Sequence, residues 1–89
     1  MNDELDGWRK QIDDIDEKII SYLAKRVEIV RKIGKFKKQQ NIPTLDKGRR
    51  KQVLYSSIKK GETLGLPKEF IKDLLSLIHK YSQQIQEKS

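Results

Sequence analysis

The 32 residues from Leu5 to Phe36 contain no proline and carry apolar side chains in steps of three and four, at Leu5, Trp8, Ile12, Ile15, Ile19, Tyr22, Ile29, Ile33 and Phe36. That spacing gathers them on one side of an α-helix. A parallel stripe at Ile20, Leu23, Val27 and Val30 widens the apolar face and points to more than one neighbouring helix. Such a helix is roughly 48 Å long at 1.5 Å per residue. A compact monomer of 89 residues has a radius of gyration of about 12 Å and a diameter on the order of 30 Å. The helix overruns its own domain, and the remainder of the chain can hardly cover its far end. An intertwined homodimer is the expected solution. Gly34 lies inside the pattern and costs about 1 kcal/mol against alanine without ending the helix.

The segment QQNIPTLD is a loop, because Pro43 blocks helical continuation and Asn41 and Thr44 favour turns. Asp46 is then a good N-cap for a second helix through about Lys60, with Val53, Leu54 and Ile58 as its apolar face. GETLGLP ends it. Pro67, expected at a first helical position, opens a third helix with a stripe at Phe70, Ile71, Leu74, Leu75, Ile78, Tyr81 and Ile85. No strand-like alternation or internal repeat interrupts this reading. The expected fold is all-α: residues 1–89 as one three-helix domain with a long first helix, paired as an intertwined helical homodimer.

Chemistry is bounded by what is scarce. With no cysteine and a single histidine, His79, the chain has no disulfide or thiolate chemistry and too few ligands for a histidine-based metal site. No metal and no cofactor are expected. No apolar run reaches the roughly 20 residues of a membrane span, and MNDELDG lacks a basic leader, so a cytoplasmic protein is expected. The net charge of +7 makes an anionic partner plausible. Nucleic acid, an anionic membrane and a small polycarboxylate all fit that number, so the position of the cations decides.

Several polar residues stand where the core should continue. Arg26 interrupts the seam of the first helix, and a dry guanidinium there costs several kcal/mol unless a carboxylate meets it. A snorkelling side chain or an ion pair with Glu28 is one solution. A ligand carboxylate is another. Lys37 follows Val30 and Ile33 at helical spacing and can share the face of Arg26, although a basic helix end also accounts for it. In the third helix, Ile71, Leu75 and Ile78 lead into Ser82 and Gln86, either because the end frays into solvent or because both face a polar ligand inside a bundle. Asp46 and Arg49 suit a cap and a cation one turn later. Arg9 lies one residue off the seam and reads as a surface charge that could reach a partner chain. His79 reads as a flank residue.

Taken in order, these residues resemble the all-helical (type II) chorismate mutases. RKQIDDIDEKIISYLAKRVEIVRKIGKFKK is similar to that family's first helix: an Arg, then I-x-x-I/L-D with Asp16, L-x-x-R with Arg26, and I/V-G-x-x-K with Gly34 and Lys37. Pro43 followed by D-x-x-R at Asp46 to Arg49 resembles the next block, and Ser82 and Gln86 the last. The resemblance spans essentially the whole chain.

It implies conversion of chorismate to prephenate, at the branch towards phenylalanine and tyrosine, in a dimer with two sites. Arg26 would bind a substrate carboxylate, and Arg9 would help from the other protomer. Lys37 and Gln86 would flank the ether oxygen, Asp46 would lie near the substrate hydroxyl, and Arg49 and Ser82 would complete the polar contacts. Where the family usually has Glu after D-x-x-R, Arg50 stands here, which removes an acceptor and adds a cation. Two alternatives follow: an isochorismate-pyruvate lyase of the same fold, and a non-enzymatic basic helical dimer that binds nucleic acid. Nucleic acid is the poorer fit, since few aromatics accompany the cations and those on inner stripes are badly placed for phosphates.

Overall fold

The computed structural model describes residues 2–89, which form α1 (Asp3–Gln39), α2 (Lys47–Thr63) and α3 (Lys68–Glu87), with no strand among the described residues. The long proline-free seam becomes one continuous 37-residue helix, extending two residues before Leu5 and three beyond Phe36. Asn2 caps its start, its side-chain oxygen accepting from the Leu5 N–H, and Asp3, Glu4 and Asp6 place negative charge against the positive end of the helix dipole.

Both helix-to-helix connections turn by the same backbone device. After α1 the Ile42 N–H donates to the Lys37 carbonyl and the Asn41 N–H to the Lys38 carbonyl, with Asn41 at φ 56°. After α2 the Leu66 N–H donates to the Gly61 carbonyl and the Gly65 N–H to the Glu62 carbonyl, with Gly65 at φ 78°. These paired bonds satisfy the last carbonyls of each helix and require one left-handed residue, which glycine and asparagine adopt at least cost. Asp46 caps α2 as expected, its Oδ1 accepting from the Arg49 N–H at 2.9 Å. Two boundaries shift. α2 runs past Lys60 to Thr63, because Gly61 is packed under Ile71 and stays helical instead of breaking the helix. Pro67, with ψ 140°, is the N-cap residue and not the first helical one, since that ψ lies outside the helical basin.

α3 is the shared partner, packing against both α1 and α2. The packing is close only where side chains are missing. A Cβ on Gly34 would stand 2.9 Å from the Gln86 Cα and 2.7 Å from the Ser89 Oγ, and a Cβ on Gly61 would stand 2.9 Å from the Ile71 Cγ1. Gly34 thus holds the C-terminal end of α3 against α1, at the level of Lys37.

One chain builds little core. Val30 and Ile71, at 6% and 7% exposure, are its only buried large apolar residues among those described. Every residue from 6 to 25 is exposed, including Trp8 at 58%, Ile12, Ile15, Ile19 and Tyr22. The radius of gyration of 16.7 Å and the extents of 59 × 24 × 15 Å are those of an open rod, well above the roughly 12 Å of a compact chain of this size. No helix is long and apolar enough to cross a membrane among the described residues.

The Gly34 contact yields a stability prediction. Gly34→Ala gains up to about 1 kcal/mol in helix propensity but overpacks against the Gln86 backbone at about 1–3 kcal/mol. A net loss of stability is expected in urea denaturation, and stability equal to or above that of the parent chain would contradict the packing account.

Candidate active site

Where α1, α2 and α3 face one another, a cavity of about 470 Å³ opens at the C-terminal end of α1. α1 contributes Arg26, Val30, Ile33 and Lys37, which the helical repeat of three and four places on one face. The turn after α1 adds Thr44, Leu45 and Asp46, and α2 adds Arg49, Arg50 and Val53. α3 closes the far side with His79, Ser82, Gln83 and Gln86. Val30, Ile33, Leu45 and Val53 supply apolar surface to this lining, interleaved with the polar groups.

Each cation is held by neutral acceptors. The Arg26 Nη1 donates to the Ser82 hydroxyl, which in turn donates to the Ile78 carbonyl at 2.8 Å. Lys37 Nζ donates to the Gln86 Oε1 at 2.9 Å and to the Thr44 carbonyl at 2.8 Å. Because the Gln86 Oε1 accepts from Lys37, the Gln86 amide N–H groups remain as donors. The Arg50 Nη2 donates to the Gln83 Oε1 at 3.0 Å and lies 3.5 Å from the His79 carbonyl, while the Arg49 Nη1 donates to the Gln52 Oε1 at 3.0 Å. Among the described residues, no carboxylate accepts from any of these four side chains. Asp46 is the one acidic residue on the cavity wall, and its Oδ1 is engaged by the Arg49 N–H.

Positive charge therefore accumulates in a half-enclosed hollow. His79 feels it: burial first, then Arg50 and then Arg26, lowers its imidazole pKa below the ordinary 6.5. A folded-state value below the unfolded one means that the unfolded chain binds more protons in that interval. His79 thus contributes stability that is present above pH 6.5 and lost as the pH falls through its folded value.

The structure brings together Arg26, Lys37, Asp46, Arg49, Ser82 and Gln86, six of the residues singled out in the sequence, along with the odd residue Arg50. Arg9 is not among them. It is exposed on α1, 17 positions before Arg26, or roughly 26 Å along the helix. Glu28 is exposed and is not the partner of Arg26. His79, read from sequence as a flank residue, lines the cavity, as do Thr44 and Gln83. Arg50 left a faint signal: it precedes Val53 and Leu54 by three and four positions and so shares the face of the short apolar stripe of α2.

A family model described as chorismate mutase type II matches residues 8–87. The chain belongs to the type II chorismate mutase family. Among similar proteins, a T-protein of Enterobacter agglomerans is 35% identical over 79 residues, which is 89% of this chain and 21% of that protein. A bifunctional chorismate mutase/prephenate dehydratase of Buchnera aphidicola is 36% identical over 87 residues, 98% of this chain and 23% of that protein. The chain thus spans about a fifth of the length of these curated relatives. A solved structure titled as a conserved hypothetical protein from Pyrococcus furiosus superposes with a TM-score of 0.75 at 34% identity, covering 97% of this chain and 99% of that one. The family's three-helix arrangement is the one seen here.

The charge on this wall gives a direct expectation for solution. Proton NMR of the free protein should place the His79 titration below pH 6.5, and Arg50→Gln should move it upward. A midpoint at or above 6.5 in the parent chain would contradict the crowding of guanidinium groups around it.

Proposed function

We propose that this chain is a chorismate mutase, acting as an intertwined homodimer in the cytoplasm. One observation carries the reading: four cations line a single cavity of about 470 Å³, all held by neutral acceptors, together with apolar residues of α1, the loop and α2. A small dicarboxylate with a hydrocarbon ring matches that arrangement, because its carboxylates supply the missing counter-charge and its ring meets Val30, Ile33 and Val53. Nucleic acid suits it less well, since few aromatics accompany the cations and those on inner stripes are badly placed for phosphates.

The rearrangement needs no nucleophile, metal or proton transfer. Arg26, steadied by Ser82, would grip one carboxylate with the planar fork that suits carboxylates better than an ammonium does. The cations together would select the compact diaxial conformer in which the new carbon–carbon bond can form. Lys37 and the Gln86 amide would donate to the ether oxygen, where negative charge grows as the carbon–oxygen bond breaks. Lys37 and Gln86 are already hydrogen-bonded to each other, so both stand in place before substrate arrives. Asp46 would face the substrate hydroxyl with its second oxygen, and Arg49 would add charge at the rim.

The dimer supplies what the single chain lacks. A second copy would cover the exposed stripe from Trp8 to Tyr22, and Arg9 on that stretch would enter the partner's cavity. A lyase splitting isochorismate into pyruvate and salicylate is the second reading, favoured by Arg50 where the family usually has Glu.

Ultraviolet assay with each substrate tests the proposal. Loss of chorismate absorbance without salicylate fluorescence is expected, while salicylate from isochorismate alone would favour the lyase. Arg26→Ala and Lys37→Ala should each lower turnover by at least about 100-fold, or roughly 2.7 kcal/mol; near-normal rates in either variant would reject these roles.

A further inference from the structure

Two consecutive arginines open α2, and the cavity treats them differently. Arg49 is exposed and turns along its own helix to Gln52, 3.0 Å away. Arg50 is half-buried and crosses to α3, where the Gln83 Oε1 accepts from its Nη2 at 3.0 Å and the His79 carbonyl stands at 3.5 Å. The Gln83 amide is itself fixed, because its Nε2 donates to the Glu87 Oε1 at 3.1 Å. Glu87, Gln83 and Arg50 thus form one chain of hydrogen bonds that holds the guanidinium across the gap between α2 and α3.

We infer that Arg50, and not Arg49, is the α2 cation that grips the ligand, and that it makes this rim specific for a ligand presenting a carboxylate there. The inventory of donors and acceptors supports it. A guanidinium has five N–H donors and no acceptor. With Nη2 engaged on α3, the Nε and Nη1 donors of Arg50 have no hydrogen-bond partner among the described residues, and Arg50 lines both this cavity and a smaller hollow between α2 and α3. Of the acceptors beside it, the Gln83 Oε1 and the His79 carbonyl already accept from Arg50 and the Asp46 Oδ1 from the Arg49 N–H, which leaves the Asp46 Oδ2 for a ligand hydroxyl. A ligand hydroxyl gains little from a guanidinium, which offers no acceptor for its proton. A carboxylate needs only donors, and a charge-assisted N–H···O bond from Nε or Nη1 would satisfy it. The depressed basicity of His79, to which burial contributes most and Arg50 next, agrees with the guanidinium lying beside that residue. Pre-positioning by Gln83 also spares the ligand the entropic cost of ordering a long side chain.

This inference rests on the dicarboxylate reading above, so its test has two arms. In the first, steady-state chorismate kinetics compare the parent protein with Arg50→Gln, Arg49→Gln and Gln83→Ala, each checked for unchanged helical circular dichroism. Arg50→Gln should raise KM by about 10-fold or more, the size of a lost charge-assisted hydrogen bond. Arg49→Gln should raise it less, and Gln83→Ala, which frees the guanidinium without removing it, should fall between them. A KM in Arg50→Gln that is unchanged, or below that of Arg49→Gln, overturns the assignment.

The second arm needs no turnover. The imidazole resonance of His79 is followed while malonate, a simple dicarboxylate, is titrated into the parent protein and the same variants. Saturable shifts in the parent chain, weakened about 10-fold or more by Arg50→Gln and less by Arg49→Gln, are the expected result. Equal malonate affinity in the parent chain and Arg50→Gln would refute Arg50 as the grip. A parent protein that leaves chorismate unchanged yet gives the expected malonate pattern would sink the mutase proposal and leave this one standing.

Discussion

Positive charge held inside a helical hollow by neutral acceptors is the constraint on which the rest of this structure depends. Arg26, Lys37, Arg49 and Arg50 lean on a hydroxyl, a carbonyl and side-chain amides. Like charges sharing a small space oppose folding, and none of the acceptors returns a counter-charge. Such an arrangement costs stability in the free protein and strengthens the attraction for an anion that enters, since partly desolvated charges interact more strongly than solvated ones. The short side-chain inventory is consistent with this use. A chain that works by grip and electrostatics needs cations on rigid helices, not a nucleophile, and all three helices contribute to the wall.

The framework explains why the hollow keeps its shape. Gly34 brings the α3 backbone to α1 at the level of Lys37, so the Lys37–Gln86 bond follows from helix packing and not from chance contact of long side chains. The turn after α1 uses the left-handed Asn41 to fold the loop back until the Thr44 carbonyl meets the same ammonium. Asp46 then starts α2 in the register that sends Arg50 to α3. The other half of α1 makes no comparable contact with its own chain. Its stripe from Trp8 to Tyr22 is left exposed by its own chain, which buries two large apolar residues among those described, and the proposed second copy would cover it.

Much of this was legible in the sequence, for physical reasons that can be named. α1 could be read because a seam of nine apolar residues without proline leaves no other periodicity. Arg26 stood out because a guanidinium on such a seam demands an explanation. α2 was harder: Val53, Leu54 and Ile58 are a thin stripe, and its phase was too weakly marked for Arg50 to be noticed as an interruption. The role of Gly34 was also hidden. Its helix propensity is local, whereas the closeness of Gln86 is a property of two helices 52 positions apart in the chain. His79 was read as a flank residue and Gln83 was passed over, because the third helix turns polar at its end and a pattern alone does not distinguish a frayed end from a wetted pocket. The end of α2 was placed early because glycine was read as a breaker, when here it is the residue that permits close packing.

The central claim is that these inward cations exist to bind a small dianion, and calorimetric titration with prephenate tests it most directly. The account predicts saturable binding of one prephenate per chain in the parent protein, and loss of that binding in a folded Arg26→Ala/Lys37→Ala double variant. Undiminished binding by the double variant, or no saturable binding by the parent chain, would contradict it.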